Sequence, residues 1–301
     1  MGVTVAPTSH RPRWLWPLAV ANLVANVGIV VTGGAVRLTG SGLGCPTWPR
    51  CTEESYVVHG ELGIHGAIEF GNRMLTFVLV VIAVACWVAT LASLVRTWRS
   101  RRDWRPFVLA TVIALGIPAQ AIIGGVTVLT DLNPWVVSLH LLVSMAIVGV
   151  CVALLDELRG PERVASTQPL QRLTWLVLAL AWVVLYLGTV VTGSGPHSGD
   201  LESRRTGLDP QLMSHVHAIA VYALVAATLG LVVWARGGGQ QPLASAAGGL
   251  LLLELAQGLL GFVQYWTDLP VLLVGLHMLG AALVSAAVTW VVLAGRARTS
   301  A

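Results

Sequence analysis

The chain has 301 residues and no lysine, and only 11% of it is charged. All 18 basic side chains are arginine. So little charge cannot cover a soluble domain, where about a quarter of residues are charged. No basic run interleaved with aromatics exists, so the pI near 9.2 does not signal nucleic-acid binding. Gly237-Gly238-Gly239 has no Lys-Ser/Thr after it and reads as a loop, not a phosphate cradle. What the chain has in quantity is apolar length.

Mean hydropathy is +0.77. Stretches of about 20 apolar residues recur, each enough to cross a ~30 Å hydrocarbon core. Eight are predicted: Leu15–Val36, Ile64–Val95, Pro106–Leu129, Trp135–Leu155, Leu173–Val191, Gln211–Trp234, Leu243–Tyr265 and Pro270–Leu293. Open sheets are excluded because lipid cannot satisfy their backbone groups. The stretch before the first span is short for an organelle transit peptide. That span lacks a small-residue cleavage site, so it reads as a retained helix.

Arginine sets the expected orientation. Arg11 and Arg13 precede the first span. Arg96, Arg99, Arg101, Arg102 and Arg105 follow the second, and Arg159, Arg163 and Arg172 the fourth. Arg236, Arg296 and Arg298 fall on the same side. The opposite loops carry Glu53, Glu54, Asp131, Asp200, Glu202 and Asp268, with Arg204 and Arg205 as exceptions among acidic neighbours. The positive-inside rule then puts both termini in the cytoplasm. Of the 12 tryptophans, Trp14, Trp16, Trp48, Trp98, Trp104 and Trp135 sit near span ends, as interfacial residues do. Gly124-Gly125 and Gly248-Gly249 are expected to allow close helix approach.

Two segments repeat without a gap. Gln120, Thr130-Asp131 and His140 match Gln257, Thr267-Asp268 and His277 at one offset of 137 residues. Val30-Val31-Thr32-Gly33-Gly34 resembles Val190-Val191-Thr192-Gly193-Ser194 at an offset of 160. The fold expected is an all-α integral membrane protein of eight transmembrane helices in two duplicated four-helix bundles, residues 1–158 and 159–301. Four spans per repeat make the two parallel in topology.

His140, His277 and His217 each lie six or seven residues after a proline that opens an even-numbered span. At 1.5 Å per residue they sit roughly 10 Å below the outer helix ends. A lone membrane histidine often only bonds a neighbouring helix. Three at one depth, two in repeated sequence, suggest ligands for haem iron held in a bundle core. His215 competes with His217, but two residues make about 200° of turn, so both cannot face one cavity. His217 is favoured. In the second span His65, Glu69 and Asn72 share a face at i, i+4 and i+7. Glu69 is either a proton acceptor or electrostatic partner, or simply an ion pair with Arg73. His65 lies nearer the interface. Cys45 and Cys51 occupy an outer loop where a disulfide is permitted, as a brace or as a redox pair. Cys86 and Cys151 read as packing residues.

Together these residues resemble the haem A synthase family from about Leu15 to Leu293. The specific pieces are Arg37-Leu38-Thr39-Gly40-Ser41-Gly42-Leu43-Gly44-Cys45-Pro46-Thr47-Trp48-Pro49-Arg50-Cys51, the Glu69 span and the repeated Gln/Thr-Asp/His segments. The resemblance implies a multi-pass enzyme of the bacterial cell membrane, serving cytochrome oxidase assembly. It implies oxidation of the C8 methyl of haem O to the formyl group of haem A, by successive hydroxylations and loss of water. It implies a cofactor haem b on His217 and His277 in the C-terminal bundle. The substrate haem O would lie in the N-terminal bundle on His140. Glu69 matches the family's functional carboxylate, and Cys45 and Cys51 match an outer-loop pair of redox or structural role. Partners implied are the farnesyltransferase that makes haem O and an electron acceptor of unidentified nature.

Two departures stand out. Many members read Glu-x-x-His-Arg where this chain reads Glu69-Phe70-Gly71-Asn72-Arg73, and asparagine is a poor axial ligand. The substrate haem would then hang on His140 alone, with Asn72 bonding a water or the porphyrin, unless His65 swings in. Ala218 follows His217 where many members carry arginine, which bears on the propionate contacts. A di-haem electron carrier would fit duplicated bis-histidine pairs, but it wants both sites saturated and has no use for Glu69. A transporter would need broken mid-membrane helices, and none is evident.

Overall fold

A computed structural model describes residues 14–97, 104–159, 163–200 and 203–297. Eight long helices follow in order: α1 (Leu15–Leu38), α2 (Gly63–Thr97), α3 (Arg105–Leu129), α4 (Pro134–Arg159), α5 (Gln168–Ser194), α6 (Pro210–Gly237), α7 (Gln241–Trp266) and α8 (Val271–Ala294). Each is long and apolar enough to cross a membrane. The protein is a polytopic all-helical membrane protein.

The helices coincide with the eight apolar stretches and overrun most of them by a few polar residues. The largest extension opens α5 at Gln168, five residues before the apolar run begins. Thr167 is extended there and Pro169 occupies the first turn, where its missing N–H costs nothing. α6 starts on Asp209, whose carboxylate accepts the Leu212 N–H at 2.6 Å. α3 remains one helix through Pro118.

Helices α1 to α4 pack in a ring: α1 on α2 and α4, α3 on α2 and α4. Helices α5 to α8 do the same, α5 on α6 and α8, α7 on α6 and α8. The diagonal pairs α2/α4 and α6/α8 do not approach each other among the described residues. The two rings meet where α4 touches α5 and α8 and α1 touches α8. The dense core is not central. Leu170, Val177, Leu231, Leu243, Leu250 and Val288 fill α5–α8 toward the end where the chain terminates. Ala19, Cys86, Ile113, Cys151 and Leu154 do so for α1–α4. The opposite end, which carries the cysteine loop, is free of these clusters.

The repeated turns share their backbone. Asp131 and Leu132 have φ of 51° and 56°, and Asp268 and Leu269 have 57° and 58°. Leu132 N–H bonds Thr127 O at 2.8 Å, and Leu269 N–H bonds Gln264 O at 2.9 Å. At the cysteine-loop end Arg37 of α1 donates to His197 O at 2.7 Å and Thr192 O at 3.1 Å. His197 Nε2 in turn meets Leu269 O at 2.9 Å, and Gly42 N–H meets Gly199 O at 2.8 Å.

Arg163 lies in the α4–α5 connection as expected, where it is buried, donates to both Asp156 oxygens at 2.8 and 2.7 Å, and lies over the Trp290 ring. Several expectations change. Arg172 and Arg236 lie within α5 and α6 rather than in connections. Gly248-Gly249 makes no close helix approach: a methyl on Gly249 would meet nothing within 4 Å, and on Gly248 only the Arg236 guanidinium. Trp48 is folded directly against Gly125 of α3. Arg11, Arg13, Trp98, Arg99, Arg101, Arg102, Glu202 and Arg298 lie outside the described residues.

Candidate functional site

Each even-numbered helix presents one polar side chain in the half of its ring toward the cysteine loop, and each faces a glycine on the helix before it. A methyl on Gly124 of α3 would lie 3.2 Å from His140 Cε1 on α4. One on Gly188 of α5 would lie 3.4 Å from His217 Cε1 on α6, and one on Gly261 of α7 would lie 3.8 Å from His277 Cε1 on α8. On α1, Gly33 takes the same place toward Asn72 of α2, with Nδ2 at 3.9 Å. The missing side chains let each imidazole lie edge-on against a neighbouring backbone.

All three histidines are partly buried, and each has a buried Nδ1 with no hydrogen-bond partner. His217 also leans on the Val184 backbone, without a bond of normal geometry. Three buried ring nitrogens without a hydrogen-bond partner are expensive unless something else takes them up. They lie on the diagonal helices that do not touch, at roughly the same depth. Haem, a flat apolar disc ligated from its two faces, fits this donor set and this spacing of helices. No cluster of three or more His, Cys, Asp or Glu side chains that could hold a bare metal ion occurs among the described residues.

His215 faces away from this arrangement. It is exposed and lies 6.2 Å from the Tyr265 ring. His65 is exposed as well, its Nδ1 2.9 Å from Ser41 Oγ.

Glu69 is buried, and both its oxygens are taken. Oε2 accepts the Cys45 backbone N–H at 2.6 Å. Oε1 pairs with Arg73, whose Nε is 3.2 Å away and whose Nη2 also reaches it. Arg73 donates further to Cys45 O at 3.1 Å, Thr47 O at 3.0 Å and Arg50 O at 3.1 Å. Cys45 and Cys51 form a disulfide and are fully buried. The pair on α2 thus clamps the backbone of the disulfide loop, and Trp48 of that loop packs beside Gly124 on Gly125. The ion pair was an alternative visible in the sequence; the loop backbone as its second partner was not.

Other polar contacts were not visible in the sequence. Thr32 donates to Asn72 Oδ1 at 2.8 Å. Gln120 donates to His140 O at 3.0 Å and also to the Ser144 hydroxyl. Glu254 is buried in α7 with Oε1 on the Thr228 hydroxyl at 2.9 Å and Oε2 unpartnered. Its signal was a lone carboxylate in the run Leu250 to Leu255.

Relatives carry similar sequence. "Heme A synthase" of Staphylococcus haemolyticus is 27% identical over 190 residues, 60% of this chain and 58% of the relative. That of Lysinibacillus sphaericus is 30% identical over 187 residues, with 60% and 58% covered. The chain therefore matches under two thirds of the length of these relatives. The profile of a family described as cytochrome oxidase assembly protein, COX15-CtaA, matches residues 14–64 and 64–196, more than half of the chain. The chain belongs to the COX15-CtaA cytochrome oxidase assembly protein family.

Proposed function

We propose that the protein is a haem A synthase, oxidising the C8 methyl of haem O to a formyl group by successive hydroxylations. The observation that carries this is the set of glycine-backed side chains on diagonal helices, in a chain whose relatives bear that name. The first four helices, within residues 1–158, form the substrate bundle, and the last four, within 159–301, the cofactor bundle. The two descend from one duplicated unit, and both termini face the cytoplasm.

In the cofactor bundle His217 and His277 would hold a haem b, which would supply one-electron redox chemistry. In the substrate bundle His140 holds the haem O iron from α4. Asn72 stands opposite on α2. Glu69, one turn nearer the loop on the same face, is the group assigned to hold and pass protons released by the substrate. Arg73 keeps that carboxylate oriented and neutralised. The disulfide loop, latched by this pair and with Trp48 packed on Gly125, covers the substrate bundle. The farnesyltransferase that makes haem O is the natural donor of substrate. A membrane electron acceptor completes the reaction.

The test is extraction and chromatography of haems from the purified protein after co-expression with a haem O source. Haem A beside haem B is expected. Haem B alone at two per chain would replace this reading with a di-haem electron carrier.

A further inference from the structure

Three of the four glycine-backed positions hold an imidazole and the fourth holds an amide. Among the described residues, the groups nearest Asn72 on its own helix are already engaged. Glu69, one turn up α2, has both oxygens engaged. His65 stands seven residues up the helix, about 10 Å by the rise per residue, and is held at Ser41. The amide itself has a fixed orientation. Thr32 donates its hydroxyl to Asn72 Oδ1, so Nδ2 is left uncommitted beside Gly33. An amide nitrogen carries two N–H donors and no lone pair for iron.

We propose that the substrate bundle contains a binding site for a small exogenous ligand, a diatomic or an anion such as cyanide, between His140 and the Asn72 amide. This rests on the haem reading above and adds a property that follows from Asn72. His140 would hold the substrate haem from α4, and the side toward α2 would meet the Asn72 amide, a hydrogen-bond donor, in place of a second imidazole. Asn72 is a positioning group for what binds there. In the cofactor bundle His217 and His277 occupy both faces, so no such ligand enters.

The test uses the full-length protein in detergent, co-expressed with a haem O source, and reads carbon monoxide binding to the reduced form and cyanide binding to the oxidised form by optical titration. One ligand per two haems is expected. Asn72→His adds the missing imidazole and is expected to abolish carbon monoxide binding. Asn72→Leu keeps the face open but removes the donor. It should bind carbon monoxide still and cyanide about tenfold more weakly, as the loss of one hydrogen bond to an anion predicts. Thr32→Val, which frees the amide to rotate, should weaken cyanide in the same direction. No ligand bound by the wild type, two bound per chain, or an unchanged titration in both Asn72 variants would overturn the proposal. Haem analysis of the same samples keeps the questions apart. Haem A without carbon monoxide binding sinks the ligand site alone. Carbon monoxide binding without haem A sinks the proposed function alone.

Discussion

Replacing Glu69 by glutamine should open the disulfide loop. Glu69 uses one oxygen for the Cys45 N–H and the other for Arg73. Glutamine has a single oxygen, so whichever way its amide turns, an NH2 group faces a donor. If it faces Cys45, the loop loses its bond to α2. If it faces Arg73, a cation at 20% side-chain exposure loses its counter-charge. Loss of one charge-assisted hydrogen bond costs about 1.5–3 kcal/mol, which is about a tenfold to hundredfold rise in the undocked population. Cys45 and Cys51 are wholly shielded in the docked state, so a thiol reductant reaches them only through opening. The assay is the rate of disulfide reduction by dithiothreitol, followed by maleimide labelling, at reductant concentrations where opening pre-equilibrates. Glu69→Gln should be reduced about tenfold to a hundredfold faster, with haem B content retained and haem A formation lost. A reduction rate within twofold of wild type would refute the latch, and normal haem A formation would remove Glu69 from the mechanism.

The glycines give a graded series. Gly124→Ala brings a methyl to 3.2 Å from His140 and should perturb the spectrum of that haem, whereas Gly261→Ala at 3.8 Å should be silent in both spectrum and haem content. His217→Ala is expected to cost one haem per chain and His215→Ala none, read as haem to protein ratio. Asp156→Asn leaves the Arg163 charge buried without its partner, a loss of about 3–5 kcal/mol. Thermal unfolding in detergent should fall accordingly, and a shift indistinguishable from zero would mean that Arg163 moves out to water.

The eight helices were legible in the sequence because lipid leaves the backbone few alternatives, and apolar length alone then marks the spans. Their ends were less legible. Gln168 and Pro169 are too polar to register as a span, yet a proline in the first turn and an extended residue before it begin α5 there. The candidate side chains stood out by type: histidine and glutamate are conspicuous in so apolar a chain. Their partners did not, because many of these are backbone atoms or glycines. Nothing in residues 40–51 tells that the Cys45 N–H points at Glu69, since that depends on how the loop folds back. Gly124-Gly125 and Gly248-Gly249 look identical on paper, yet one pair receives His140 and Trp48 and the other receives almost nothing. Arg163 was legible as a loop arginine, but not its pairing with Asp156 or its place over Trp290.

The hydrogen bonds from Arg37 to Thr192 and His197, and from His197 to Leu269, run across the face of the molecule from its first helix to its last turn. Their donors and acceptors are 155 and 160 residues apart for Arg37 and 72 apart for His197. During membrane insertion the first four helices therefore wait with an arginine reaching for carbonyls that do not yet exist. A gene split in two between α4 and α5 would give fragments that each insert, yet neither would finish folding until it met the other in the same bilayer.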